Sequence, residues 1–166
     1  GNDDPYLVIH PTSRWLFKTP KPAFWIEVID LLREQTHFRI CLTGVGAGLE
    51  GEFIEAIKKA CPDLIVYTDL SIKELVNLIA GAYAFLGVDT FSSHLAWTLG
   101  KAGSVLFGPS DDIAWGPPDN SSLKVYASQH HLCRPCNLDG CGGSKRSDCL
   151  DSLNPVDVID ELLQRL

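Results

Sequence analysis

Apolar and polar positions fall into two alternating kinds of block along the chain. Short apolar runs rich in β-branched residues, such as Tyr6-Leu7-Val8-Ile9-His10, read as strands buried on both faces. Longer stretches with apolar residues on one side read as helices. In residues 23–35 that side carries Phe24, Ile26, Val28, Ile29, Leu31 and Leu32. The pattern predicts further strands over 38–43, 64–67, 84–88, 104–107 and 123–127. It predicts further helices over 50–61, from the capping box Ser71-Ile72-Lys73-Glu74 onward, over 90–99 and over 155–165. Pro62 stops one helix, Gly100 caps another, and Pro155 opens the last at its first position. Residues 11–22, with Pro11, Pro20 and Pro22, form a loop.

Strand–helix alternation at this spacing implies right-handed crossovers and a parallel sheet covered on both faces. The expected fold is α/β, a doubly wound, Rossmann-like sheet of about six strands. One domain is expected over residues 1–166, with a cysteine-rich loop at 130–150. The length suits a single unit with its own core.

The composition is that of ordinary globular protein, 45% hydrophobic and 21% charged. A net charge of −7 argues against nucleic acid as a partner, because phosphate backbones are gripped by a basic face. No apolar run is long enough to span a bilayer, and no signal peptide is visible at the amino terminus. A cytoplasmic protein is expected. The chain has no methionine, so Gly1 reads as a cleavage scar and the natural protein is expected to extend upstream.

Ligands of open parallel sheets bind outside the carboxyl ends of the strands, so the residues after each strand carry the information. After the first strand, Thr12, Ser13, Arg14 and Lys18 offer hydroxyls and cations that suit phosphate oxygens. The same segment also reads as a Ser/Thr turn with solvated cations. After the second, Gly44, Gly46 and Gly48 allow close backbone approach, although their spacing is not the dinucleotide fingerprint. Glu50 there is placed for a ribose hydroxyl, or Glu50 and Glu52 simply favour a helix start. After the fourth strand, Asp89, Thr90, Ser92, Ser93 and His94 gather at one helix N-terminus, which suits a diphosphate beside sugar hydroxyls. The alternative there is a plain N-cap with a packed histidine. The loop from Gly108 to Pro117 is rigid, with Trp115 either a core plug or a ligand contact.

Cys41 and Cys61 read as buried small apolar residues. Cys133, Cys136, Cys141 and Cys149 cluster within seventeen residues, and three readings are open: a structural zinc, two disulfides or free thiols.

Three stretches together resemble glycosyltransferase family 9, the ADP-heptose:lipopolysaccharide heptosyltransferases. They are His10-Pro11-Thr12-Ser13-Arg14-Trp15-Leu16-Phe17-Lys18; Gly87-Val88-Asp89-Thr90 with Ser93-His94-Leu95-Ala96; and Leu106-Phe107-Gly108-Pro109-Ser110 with Trp115-Gly116-Pro117. The late Cys-x-Pro-Cys and Cys149-Leu150 add to it. The resemblance implies the C-terminal, donor-binding half of a GT-B enzyme, inverting and needing no metal for catalysis. It implies ADP-heptose as donor and a lipopolysaccharide core acceptor. An absent N-terminal domain would hold that acceptor and the general base, so no catalytic residue is expected in this chain. The full-length enzyme would work at the inner face of the inner membrane. By matched position, Thr12, Ser13 and Lys18 would contact the diphosphate, and Glu50 the ribose. Leu70 would lie beside adenine, Asp89 would bind the heptose, and Thr90 and His94 would line the diphosphate. The family's pattern has a small residue where this chain has Phe91. A sugar-nucleotide epimerase of the same architecture and a stand-alone nucleotide-binding or zinc-stabilised module are the competing readings.

Overall fold

A computed structural model describes residues 4–166; residues 1–3, with the expected cleavage scar at Gly1, lie outside it. Six strands form one all-parallel sheet in the order β3-β2-β1-β4-β5-β6. They are β1 Tyr6–His10, β2 Arg39–Gly44, β3 Ile65–Thr68, β4 Ala84–Val88, β5 Ala102–Phe107 and β6 Leu123–Ala127. Strand order reverses between β1 and β4, which is the topological switch point where such sheets open a crevice.

Side chains alternate across the sheet. Leu7 and Ile9 of β1 face one layer, made by α1 (Pro22–Gln35), α2 (Gly48–Ala60) and α7 (Pro155–Leu163). Trp25, Val28, Ile29, Ile54, Ile57, Val158 and Ile159 fill that layer and are almost wholly buried. Val8 faces the other layer, with Phe85, Val105 and Phe107 against α3 (Ile72–Gly81) and α4 (Phe91–Thr98). With both faces covered, the strands carry near-continuous apolar runs, as the sequence pattern shows.

The local signals hold. Ser71 and Glu74 form the reciprocal capping box at α3. Gly100 sits at φ 70° after α4, the left-handed cap that glycine adopts without strain.

Several bounds differ from the sequence reading. β5 begins at Ala102 and so includes Gly103, whose φ is 141°. A Cβ there would lie 1.8 Å from the Phe85 carbonyl oxygen, so the neighbouring strand requires a glycine inside a strand. α2 starts at Gly48, which puts Glu50 inside its first turn. α7 ends at Leu163, short of Arg165. Two short helices stand where loops are expected: α5 (Asp112–Trp115), capped by the Asp111 carboxylate, and α6 (Asp148–Asp151). A 3-10 turn spans Leu16–Lys18. Among the described residues no helix is long and apolar enough to cross a membrane.

Candidate functional site

A cleft of about 500 Å³ opens at the switch point. Its floor is the carboxyl ends of β1 and β4, and its walls are the loops after β1, β4 and β5. Thr12, Ser13, Lys18, Glu50, Asp89, Thr90 and His94 all line it. Leu70 does not; it is half-buried in the β3–α3 connection, immediately before the Ser71 cap. Glu52, the alternative to Glu50, is exposed and outside the cleft.

The charged groups are paired across the cleft. Lys18 Nζ donates to Asp89 Oδ2 at 2.8 Å, joining the turn after β1 to the loop after β4. Asp89 is 9% exposed and Lys18 25%, so this pair is partly shielded from water. Thr12 Oγ1 donates to Glu50 Oε2 at 3.0 Å and is itself buried. Ser13 accepts at Oγ from the Trp15 backbone N–H and gives its own N–H to Thr19 Oγ1, which shapes the loop. Arg14 lies over the Trp15 ring, 5.0 Å from its centroid.

Thr90 is the N-cap of α4 but makes no side-chain cap; its hydroxyl leans toward the Val88 carbonyl at 3.4 Å. No side chain caps the first turn of α4 at the cleft, where a helix end favours negative charge, although the Ser93 N–H turns to the Thr90 carbonyl. His94 packs on Trp97 with ring centroids 4.1 Å apart. Burial lowers its pKa below the ordinary value, Asp89 opposes this, and Lys18 reinforces it.

His10, the last residue of β1 and the first of the stretch that carries the family resemblance, also lines the cleft, a role the sequence reading does not give it. Burial lowers its pKa to about 4. Trp15, Phe91, Ser110, Trp115 and Asn137 also line the cleft. Trp115 is 61% exposed, which settles against a core plug. Asn137 belongs to the cysteine-rich loop, and nothing in its local sequence points to the cleft.

Both histidines bind a proton less well folded than unfolded. Between about 4 and the ordinary 6.5 the unfolded chain holds more protons at His10, so stability rises with pH across that window. Stability is lost as pH falls from 6.5 toward 4, by up to about 1.4 kcal/mol per pH unit for one such group. Urea midpoints measured from neutral pH down to about pH 4.5 should fall along this slope. His10→Asn should flatten it, and a wild-type midpoint independent of pH would refute the expectation.

The four late cysteines are free thiols; Cys149 is buried. All four, with His131, border one cavity of about 90 Å³. Among the described residues, however, no three His, Cys, Asp or Glu side chains are disposed to hold a metal ion. Of the three open readings, neither a zinc set nor the disulfide pairs is assembled among the described residues. Burial pushes the Cys149 thiol up to about 11, against the pull of Arg134, and the other three thiols add to the rise.

The loop that carries these cysteines instead braces the cleft. Arg134 Nε donates to the Gly108 carbonyl at 2.6 Å and Nη2 to Asp112 Oδ1 at 3.0 Å. The Asp111 N–H donates to Asn137 Oδ1 at 3.1 Å. On the opposite wall, Ser147 Oγ donates to the Phe17 carbonyl at 2.6 Å. Arg146 bonds both Asp151 and the Leu16 carbonyl.

A doubly wound sheet with a charged cleft at its switch point defines an α/β domain of the kind whose ligands bind at the carboxyl ends of its strands. Residues 1–143 match the model of glycosyltransferase family 9 (heptosyltransferase), and the chain belongs to that family. It is 30% identical over 134 residues to lipopolysaccharide heptosyltransferase 3 of Escherichia coli K12, covering 78% of this chain and 38% of that protein. It is 34% identical over 137 residues to lipopolysaccharide heptosyltransferase 1 of Salmonella typhimurium LT2, covering 82% and 41%. The chain thus spans less than half the length of these relatives. Among solved structures, E. coli heptosyltransferase WaaC with ADP matches at TM-score 0.64 and 26% identity, over 75% of this chain and 38% of that one. E. coli ADP-heptose lps heptosyltransferase II matches in fold at TM-score 0.77 and 18% identity, over 99% of this chain and 47% of that one.

Proposed function

We propose that this chain is the donor-binding, C-terminal half of an inverting heptosyltransferase, that it holds an ADP-activated heptose, and that the enzyme acts in lipopolysaccharide core synthesis. The observation that carries the reading is the Lys18–Asp89 pair across the switch point, beside the uncapped start of α4. Its cation and helix end suit a diphosphate, and its carboxylate suits the sugar hydroxyls next to it. Glu50 is the group for the ribose. Structures of E. coli heptosyltransferase WaaC with ADP and with ADP-2-deoxy-2-fluoro heptose support the choice of ligand.

In the reaction an acceptor hydroxyl attacks the anomeric carbon as the bond to the diphosphate breaks. ADP leaves with the bonding pair, and the hydroxyl proton passes to a carboxylate of the other half of the enzyme. Lys18 and the first turn of α4 stabilise the charge that grows on the departing diphosphate. In this reading, residues 1–166 by themselves bind donor and transfer nothing. The family match favours a transferase over an epimerase. The 1–166 segment is one domain in this reading, working at the cytoplasmic face of the inner membrane.

Calorimetric titration with ADP-heptose, ADP and UDP-sugars tests the proposal. Adenine ligands should bind and UDP-sugars should not. Asp89→Asn should narrow the advantage of ADP-heptose over ADP. A preference for UDP-sugars would discard the heptosyltransferase reading while leaving the cleft in place.

A further inference from the structure

His10 stands opposite Gly87 at the switch point, with its ring between β2 and the first turn of α4. Two hydroxyls meet the same ring nitrogen. Thr43 Oγ1 lies 2.8 Å from Nδ1 and Ser92 Oγ lies 3.2 Å from it. Among the described residues Nε2 has no hydrogen-bond partner, and the ring borders the cleft.

A neutral imidazole carries one N–H, and the neighbours decide which nitrogen holds it. Ser92 sits in the first turn of α4, where its natural acceptor is the Val88 carbonyl. That carbonyl already takes the hydroxyls of Ser93 at 2.5 Å and Thr90 at 3.4 Å. Nδ1 is the remaining acceptor for the Ser92 proton. Nδ1 has one lone pair to offer, and Thr43, unlike Ser92, has another acceptor in the Ile9 carbonyl at 3.4 Å. Placing the proton on Nδ1 would leave the Ser92 hydroxyl without that acceptor, whereas Thr43 can turn its own proton to Ile9 in either tautomer. With Nδ1 as acceptor, the N–H lies on Nε2.

We infer that His10 presents a fixed, uncharged Nε2–H to the cleft and donates it to an anionic phosphoryl oxygen of the bound ligand. The inference rests on the reading of the cleft as a nucleoside diphosphate site. The other charged or titratable groups on the cleft are Arg14, Lys18, Glu50, Asp89 and His94. Both carboxylates already hold donors, from Thr12 and Lys18, so neither claims the His10 N–H. An uncharged donor adds to the grip on a phosphoryl oxygen without adding another full positive charge. His10 is thereby a positioning and specificity residue for the diphosphate, with Thr43 and Ser92 setting its tautomer.

The test has two arms. Long-range ¹H–¹⁵N NMR of the ¹⁵N-histidine-labelled chain at neutral pH should show His10 protonated at Nε2 and bare at Nδ1; the opposite tautomer overturns the inference whatever the cleft binds. In the second arm, affinities for ADP and for adenosine are compared in wild type, His10→Asn and His10→Gln. His10→Asn should lose about tenfold in ADP affinity. His10→Gln, whose amide N–H reaches the Nε2 position, should keep most of it. Adenosine should bind all three alike. Equal loss of ADP and adenosine in the asparagine variant, or no loss of either, overturns the inference. A wild-type chain that binds neither ligand defeats the diphosphate reading instead, and the tautomer measurement still judges the ring.

Discussion

Lys18→Ala should lower the affinity of the cleft for ADP by roughly a hundredfold, the joint effect of a lost charge-assisted hydrogen bond and an uncovered carboxylate. Lys18 is the only cation bonded to Asp89 among the described residues, at 2.8 Å, and Asp89 is 9% exposed. Removing the ammonium therefore leaves a nearly buried carboxylate facing an incoming diphosphate. Both consequences oppose binding, and low local dielectric strengthens the second. Asp89→Asn should act in the reverse direction on ADP. It removes the repulsion and frees Lys18 for phosphate, so ADP should bind severalfold more tightly while an attached sugar contributes less. In the double variant the loss should be smaller than in Lys18→Ala alone, because the uncovered charge is gone. Calorimetry on the four proteins closes this cycle. Additive effects of the two substitutions would show that Lys18 and Asp89 do not act as a pair.

Gly103→Ala should cost more stability than any surface substitution, at least about 4 kcal/mol, enough to unfold many domains of this size. A Cβ at Gly103 would lie 1.8 Å from Phe85 O and 2.8 Å from Phe85 C, both backbone atoms of the paired strand. Neither can move without breaking the ladder between β4 and β5. The φ of 141° adds backbone strain for any other residue. Gly100→Ala is the control. It also has positive φ, at 70°, but a Cβ there meets nothing within 4 Å. Its cost should be about 1 kcal/mol. Urea unfolding followed by circular dichroism compares the two. A Gly103→Ala chain with a midpoint near that of wild type would show that β5 can shift from its neighbour.

Much of the fold was legible because its signals are local. The Ser71–Glu74 box, Gly100, Pro155 and the apolar runs at Tyr6–His10 and Ala84–Val88 each state their own structure within a few residues. Gly103 was not legible in this way. Its need for glycine comes from Phe85, on a different strand. The short helices α5 and α6 carry too few residues to show a period.

The site divides along the same line. Thr12, Ser13, Lys18, Asp89, Thr90 and His94 follow strand ends, and the sheet brings strand ends together. Leu70 also follows a strand, but β3 lies at the sheet edge, two strands from the switch point. His10 heads the stretch that carries the family resemblance, but its place at the end of an apolar run hid its part in the cleft. Asn137 was hidden because only the folded loop carries it to the β5–α5 wall.

The bracing of the cleft by residues 134–147 has a consequence for how the protein is made. A chain emerging from the ribosome has all six strands once Ala127 is out, but α7, which covers one face of the sheet, is still to come. Neither cleft wall is yet tied, because the bonds to Gly108, Asp111, Asp112, Leu16 and Phe17 come from residues still to be synthesised. The strands are thus made before the residues that brace the cleft and before the helix that completes the core. Nucleotide capture by stalled chains of increasing length should begin only once α7 has been added.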